Sequence, residues 1–120
     1  MKNSKHNLTF IRELVVPHDP DYEGKMWYGS FQNVTSTTIT DEQLNCFLIT
    51  VFQDINETLD LYIDSWEEEK IKYDQIDKAL EICDIWMHRY KKQVFIDGLQ
   101  KVIDMLKLAK ELHTCVEFNL

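Results

Sequence analysis

Apolar and polar positions along this chain change their period at Thr40. Before it, residues 8–16 read Leu-Thr-Phe-Ile-Arg-Glu-Leu-Val-Val, rich in β-branched and aromatic types, and stop at Pro17, which predicts a strand. Both prolines of the chain and a glycine fall within 17–24, so that stretch is expected to be a loop. A second strand is expected over 25–34, with Met26 and Tyr28 on one face and Trp27 and Phe31 on the other. The Thr-rich run 35–39 extends that strand or forms a third. Two or three strands do not hold together alone, so they must pack on helices.

After Thr40 the apolar residues recur every three or four positions. Thr40 followed by Asp41, Glu42 and Gln43 matches a capping box, with acids in the first turn. Leu44, Phe47, Leu48, Val51, Phe52, Ile55, Leu59, Tyr62 and Trp66 then predict one helix over 41–68, with Tyr62 and Trp66 on its inner face. A second helix is expected over 74–91, burying Ile76, Ala79, Leu80, Cys83, Trp86, Met87 and Tyr90. A third is expected over 95–113, burying Leu99, Val102, Ile103, Leu106 and Ala109, with Gly98 near its start. Val116, Phe118 and Leu120 alternate with polar partners, which fits a short strand over 115–120 joining the N-terminal sheet. The expected fold is therefore α+β: a small N-terminal antiparallel hairpin or sheet packed on three α-helices, in one domain over 1–120 that is β-rich over 8–39 and helical over 41–113. The length of 120 residues suits one core.

Charge adds what periodicity does not. The chain carries −8, and residues 41–84, with thirteen acids against Lys70, Lys72 and Lys78, carry −10. A chain this acidic repels phosphate backbones, so direct nucleic-acid binding is not expected. On the expected first helix Asp54, Glu57, Asp60, Asp64 and Glu67 or Glu68 advance by three or four, a carboxylate ridge opposite the apolar stripe. Asp74, Asp77, Glu81 and Asp84 repeat this on the second, and Glu69 completes a triple acid between them. Like charges at this spacing destabilise a helix by a few tenths of a kcal/mol per pair. Solubility alone does not require the whole excess on one hairpin.

Signatures of catalysis are missing. Cys46, Cys83 and Cys115 are odd in number and widely spaced, unlike a disulfide framework or a Cys-x-x-Cys site. The loop Asp19-Pro20-Asp21-Tyr22-Glu23-Gly24 opens like an EF-hand, but position twelve is Ser30 rather than Glu. Asp84 and His88 stand four apart as half of a metal site, with no further ligands at a recognisable spacing. Nucleophile elbows, phosphate loops and dinucleotide turns are absent. No enzymatic activity, cofactor or metal is expected. No apolar run approaches the roughly 18 residues of a membrane span, and the polar N-terminal residues do not form a signal-peptide core. A cytoplasmic location without membrane contact is expected.

The acidic hairpin remains as the candidate site. Its expected partner-binding residues are Asp54, Glu57, Asp60, Asp64, Glu67, Glu68, Glu69, Tyr73, Asp74, Asp77, Glu81 and Asp84. Such a face steers a basic partner toward it, and Tyr73 supplies an aromatic beside it. In size and charge alone the chain is similar to bacterial immunity proteins, which bind and block a toxin domain, often a basic nuclease. That likeness implies a non-catalytic antitoxin; the alternatives are a phage-type inhibitor that imitates DNA and a helical regulatory or oligomerisation scaffold.

Overall fold

The computed structural model describes residues 11–18 and 33–120. Strands β1 (Arg12–Pro17), β2 (Val34–Ile39), β3 (Glu68–Ile71) and β4 (Val116–Asn119) form one antiparallel sheet in the order β2-β1-β4-β3. The fold is α+β, and its N-terminal hairpin packs on helices. The turn expected at 19–24, with its EF-hand likeness, lies outside the described residues, as does the strand expected over 25–34 apart from Asn33 and Val34.

The register explains why these segments pair. Leu14 faces Phe118, and Ile71 faces Val116, so one side of the sheet is an apolar row that enters the core with Val16 and Ile39. The opposite side is covered at its centre as well, with Val15 only 1% and Glu117 only 3% exposed. Lys70 stands directly across from Glu117, with Nζ 3.9 Å from Oε2, so the buried carboxylate has a cation beside it.

The helix expected over 41–68 is two helices and a strand. Helix α1 (Asp41–Leu48) starts as the sequence implies: Thr40 Oγ1 accepts from Gln43 N–H at 3.1 Å, and Gln43 Oε1 accepts from Thr40 N–H at 2.9 Å. It stops at Ile49 because Thr50 redirects the ladder. The Thr50 N–H donates to Phe47 O, and its hydroxyl takes the Cys46 carbonyl at 2.6 Å in place of an amide. The β-branched run Ile49-Thr50-Val51 favours such a break. Helix α2 (Val51–Leu59) ends at Asp60, whose φ of 58° is left-handed. A short 3₁₀ turn, Tyr73–Gln75, leads into α3 (Ile76–Arg89), and α4 (Gln93–Leu112) follows a three-residue connection. No helix among the described residues is long and apolar enough to cross a membrane.

Aromatic rings join the layers. Phe47 meets Phe52 and Phe95 edge-on at 5.1 and 5.3 Å, Phe52 meets Phe118 at 5.6 Å, and Tyr90 meets Phe95 at 4.4 Å. One chain of contacts thus ties α1, α2 and α4 to β4.

Gly98 lies inside α4, not before it, and marks a close approach of α1. A Cβ there would stand 2.8 Å from Gln43 Cδ and 2.9 Å from Phe47 Cζ. Neither neighbour is free to retreat. Gln43 is held at both ends, its Nε2 donating to Val94 O at 3.1 Å, and Phe47 is enclosed by other rings. Helix propensity alone favours Gly98→Ala by about 1 kcal/mol. The overlap is expected to reverse that sign, giving a net loss of about 1–3 kcal/mol, read as a lower urea midpoint with an unchanged slope. A higher midpoint would mean that α1 yields.

Candidate protein-binding surface

The connection from α2 to β3, residues 60–67, is built by two side chains. Asn56 brackets Ile63, accepting from its N–H at 2.8 Å and donating to its carbonyl at 3.0 Å. This buries Ile63 and turns Tyr62 outward. Glu69 then accepts from the Tyr62 N–H with one oxygen and from the Lys70 N–H with the other, both at 2.9 Å. Its carboxylate caps the outer edge of β3 and straps the connection to it, which also blocks edge pairing.

Tyr62 is 60% and Trp66 64% exposed. Both were expected on the inner face of a helix, and both lie on the surface because the helix ends at Leu59. Trp66 adopts a left-handed φ of 68°. Its ring lies 5.2 Å from the Arg12 guanidinium, which also donates to the Leu120 carbonyl and, at 3.1 Å, to Asp41. The ring is thereby held against the end of the sheet.

Carboxylates line two clefts along this connection. Glu57 and Asp64 line a cleft of about 350 Å³ with Leu48, Ile49, Gln53 and Ile63. Glu67 and Glu68 line a second cleft of about 210 Å³ with Trp66, Ile11 and Leu120. Asp60 caps α2 between them in sequence. None of Glu57, Asp60, Asp64, Glu67 and Glu68 forms an ion pair among the described residues.

The helical ridge expected over 54–68 therefore does not exist as such: only Asp54 and Glu57 are on a helix, and Glu68 and Glu69 are on a strand. Asp54 accepts from Trp86 Nε1 at 2.6 Å and so fastens α2 to α3. On α3 the row is present, with two of its acids beside lysines and Asp84 beside a histidine. Lys110 Nζ is 2.7 Å from Asp77, Lys78 Nζ is 2.9 Å from Glu81, and His88 Nδ1 is 3.6 Å from Asp84. The hydrogen bond that Lys110 donates to Asp77, and the charge of that carboxylate, raise the Lys110 pKa. Asp74 is exposed at the 3₁₀ turn, and Tyr73 stacks on His113 with ring centres 4.8 Å apart. Among the described residues the candidates divide into a group over 57–68 without ion pairs and a group over 77–84 in which Asp77 and Glu81 are paired with lysines.

Sequence reading missed the surface position of Tyr62 and Trp66 and the roles of Asn56 and Glu69. One signal was present. Leu61 and Ile63 alternate with Asp60, Tyr62 and Asp64, a period of two inside a run whose wider spacing fits a helix.

Cys83 and Cys115 are buried, and burial pushes both thiols up to about 12. Cys46 is half-buried. Comparison with models of known protein families, with curated proteins and with solved structures finds no match. Geometry and charge carry the functional reading.

Two measurements follow from this arrangement. Asn56→Ala strands both backbone groups of buried Ile63 and is expected to cost about 2 kcal/mol, and Glu69→Ala about 1 kcal/mol. Amide exchange should rise at Tyr62, Ile63 and Lys70, and unchanged protection there would show that the connection holds itself. The raised thiol pKa values keep Cys83 and Cys115 protonated at pH 8. An aromatic disulfide reagent should therefore titrate one thiol quickly in the native protein, Cys46, and all three only after unfolding.

Proposed function

We propose that this chain is a non-catalytic binding protein that seats a basic protein partner on the 57–68 surface. The partner is a toxin nuclease domain, neutralised in the manner of a bacterial immunity protein. The observation that supports this reading is the pairing of Tyr62 and Trp66, both more than half exposed, with five carboxylates of the same segment that form no ion pair among the described residues. Charge alone steers an encounter but gives little affinity. Exposed aromatic rings beside it supply area at low entropic cost, which is where binding energy concentrates.

A nuclease is favoured because enzymes that hold a phosphate backbone present a cationic cleft to it. A carboxylate surface competes for that cleft by the same attraction. The 77–84 row contributes less in this reading, since its acids already have Lys78, Lys110 and His88 beside them. Glu69 and Asp54 act as struts for the surface. Binding stays in the cytoplasm and involves no membrane.

The test begins with capture of the partner from native cytosol on the immobilised chain, under washes of increasing salt. A basic nuclease whose activity the chain silences in stoichiometric amount is the expected result. Asp60→Lys, Asp64→Lys and Glu68→Lys together should keep the circular-dichroism spectrum and slow association. They should weaken binding by about 2–5 kcal/mol if one of the three is desolvated in the complex. Association by the native chain should slow steeply with salt as screening shortens to about 8 Å at physiological ionic strength. Unchanged affinity and on-rate in the folded triple variant would reduce the acidic face to a solvated surface.

A further inference from the structure

The sheet ends in two edge strands of opposite character. β3 reads Glu-Glu-Lys-Ile, and Glu69 accepts from the Lys70 N–H, so charge and a carboxylate occupy its outer edge. β2 reads Val-Thr-Ser-Thr-Thr-Ile, six β-prone residues with neither charge nor proline. The register fixes which of its groups point outward. His18 N–H donates to Asn33 O at 2.9 Å, so Val16 with Thr35 and Leu14 with Thr37, at steps of two along the ladder, exchange the bonds between β1 and β2. The N–H and C=O groups of Val34, Ser36 and Thr38 therefore point away from β1. Lys101 Nζ, on α4, agrees with this by donating to Thr38 O at 2.9 Å. Among the described residues no acceptor meets the N–H groups of Val34, Ser36 and Thr38. All three residues are exposed.

We infer that this edge pairs with β2 of a second copy, antiparallel about a two-fold axis at Ser36, so that two sheets join into one. The outward groups repeat symmetrically about that residue. Ser36 meets its own equivalent and exchanges both N–H···O bonds with it, and Val34 does the same with the other copy's Thr38. Thr38 O has a second lone pair for the incoming N–H while Lys101 holds the first. Charge also selects a copy. The chain carries −8, which opposes self-association over most of its surface, but residues 33–40 contain no charged side chain. A foreign strand added to an edge is chosen by pockets for its alternate side chains. This edge presents only Val34, Ser36 and Thr38, which match each other across the axis as Val–Thr and Ser–Ser pairs. An edge of six residues covers little area, so the dimer is weak and concentration-dependent.

This inference does not rest on the proposed function, since β2 holds no residue of the 57–68 surface. The experiment is analytical ultracentrifugation over a concentration series reaching about 0.5 mM, a range suited to a small interface. The native chain should move from monomer to dimer. Ser36→Pro removes an N–H that bonds nothing within the chain, so it should keep the circular-dichroism spectrum and abolish the dimer over this range. Ser36→Lys and Ser36→Glu each set like charges about 5.5 Å apart across the axis and should weaken the dimer by about three- to fivefold. Mixed together, these two variants should form a heterodimer tighter than either homodimer, because Lys then faces Glu. A native chain that stays monomeric throughout would overturn the inference. So would a folded Ser36→Pro variant that dimerises like the native chain, or a mixture that associates no better than its components.

Discussion

Four residues, Val116–Asn119, occupy the position on which the rest of the sheet depends. β4 lies between β1 and β3, pairing with Glu13, Leu14 and Val15 on one side and with all of Glu68–Ile71 on the other. Without it β3 has no neighbour, and a four-residue strand rich in Glu and Lys does not persist alone. Phe118 also reaches Phe52, so the strand that closes the sheet is bonded into the same aromatic core that fixes α1, α2 and α4. The α2–β3 connection inherits its position from this pairing. Asn56 holds one end to a helix, and Glu69 holds the other to a strand that exists only because β4 supports it.

Acidity distributes differently in space than in sequence. Asp77, Glu81 and Asp84 belong to the same run as Glu57, Asp60 and Asp64, but α3 and α4 lie side by side and Lys110 comes across to Asp77. Exposed pairs of this kind contribute little to stability. Their effect is on the field: locally balanced charges attract little at a distance, whereas uncompensated ones on a nearby loop do. Carboxylates with no ion pair among the described residues thus gather on the segment that also carries the exposed rings.

Much of the fold was legible in the residues. The period change at Thr40, its capping box, the apolar rows of α3 and α4 and the alternation of Val116 with Phe118 all led to the observed elements. The failure lay between 49 and 71, and it has a physical cause. Apolar residues at helical spacing over Leu59, Tyr62 and Trp66 are compatible with a longer helix. What ends it is local chemistry that periodicity does not weigh: a threonine hydroxyl substituting for an amide, an asparagine bracketing Ile63, and an aspartate accepting a left-handed backbone. β3 has little strand propensity of its own, and its formation is decided by a partner more than forty residues away. The acidic character of the candidate site could be read directly, but not its division into balanced and unbalanced halves.

Trp66 illustrates how the surface and the fold make different demands on one position. Its left-handed backbone is disfavoured by roughly 1–2 kcal/mol for a residue with a side chain, while its ring holds the guanidinium of Arg12, whose side chain is only 12% exposed, at 5.2 Å. Glycine would take that backbone at no steric penalty. A glycine here would relax the backbone and at the same stroke remove the ring on which Arg12 rests, so local backbone comfort and the anchoring of the sheet's end pull this one position in opposite directions.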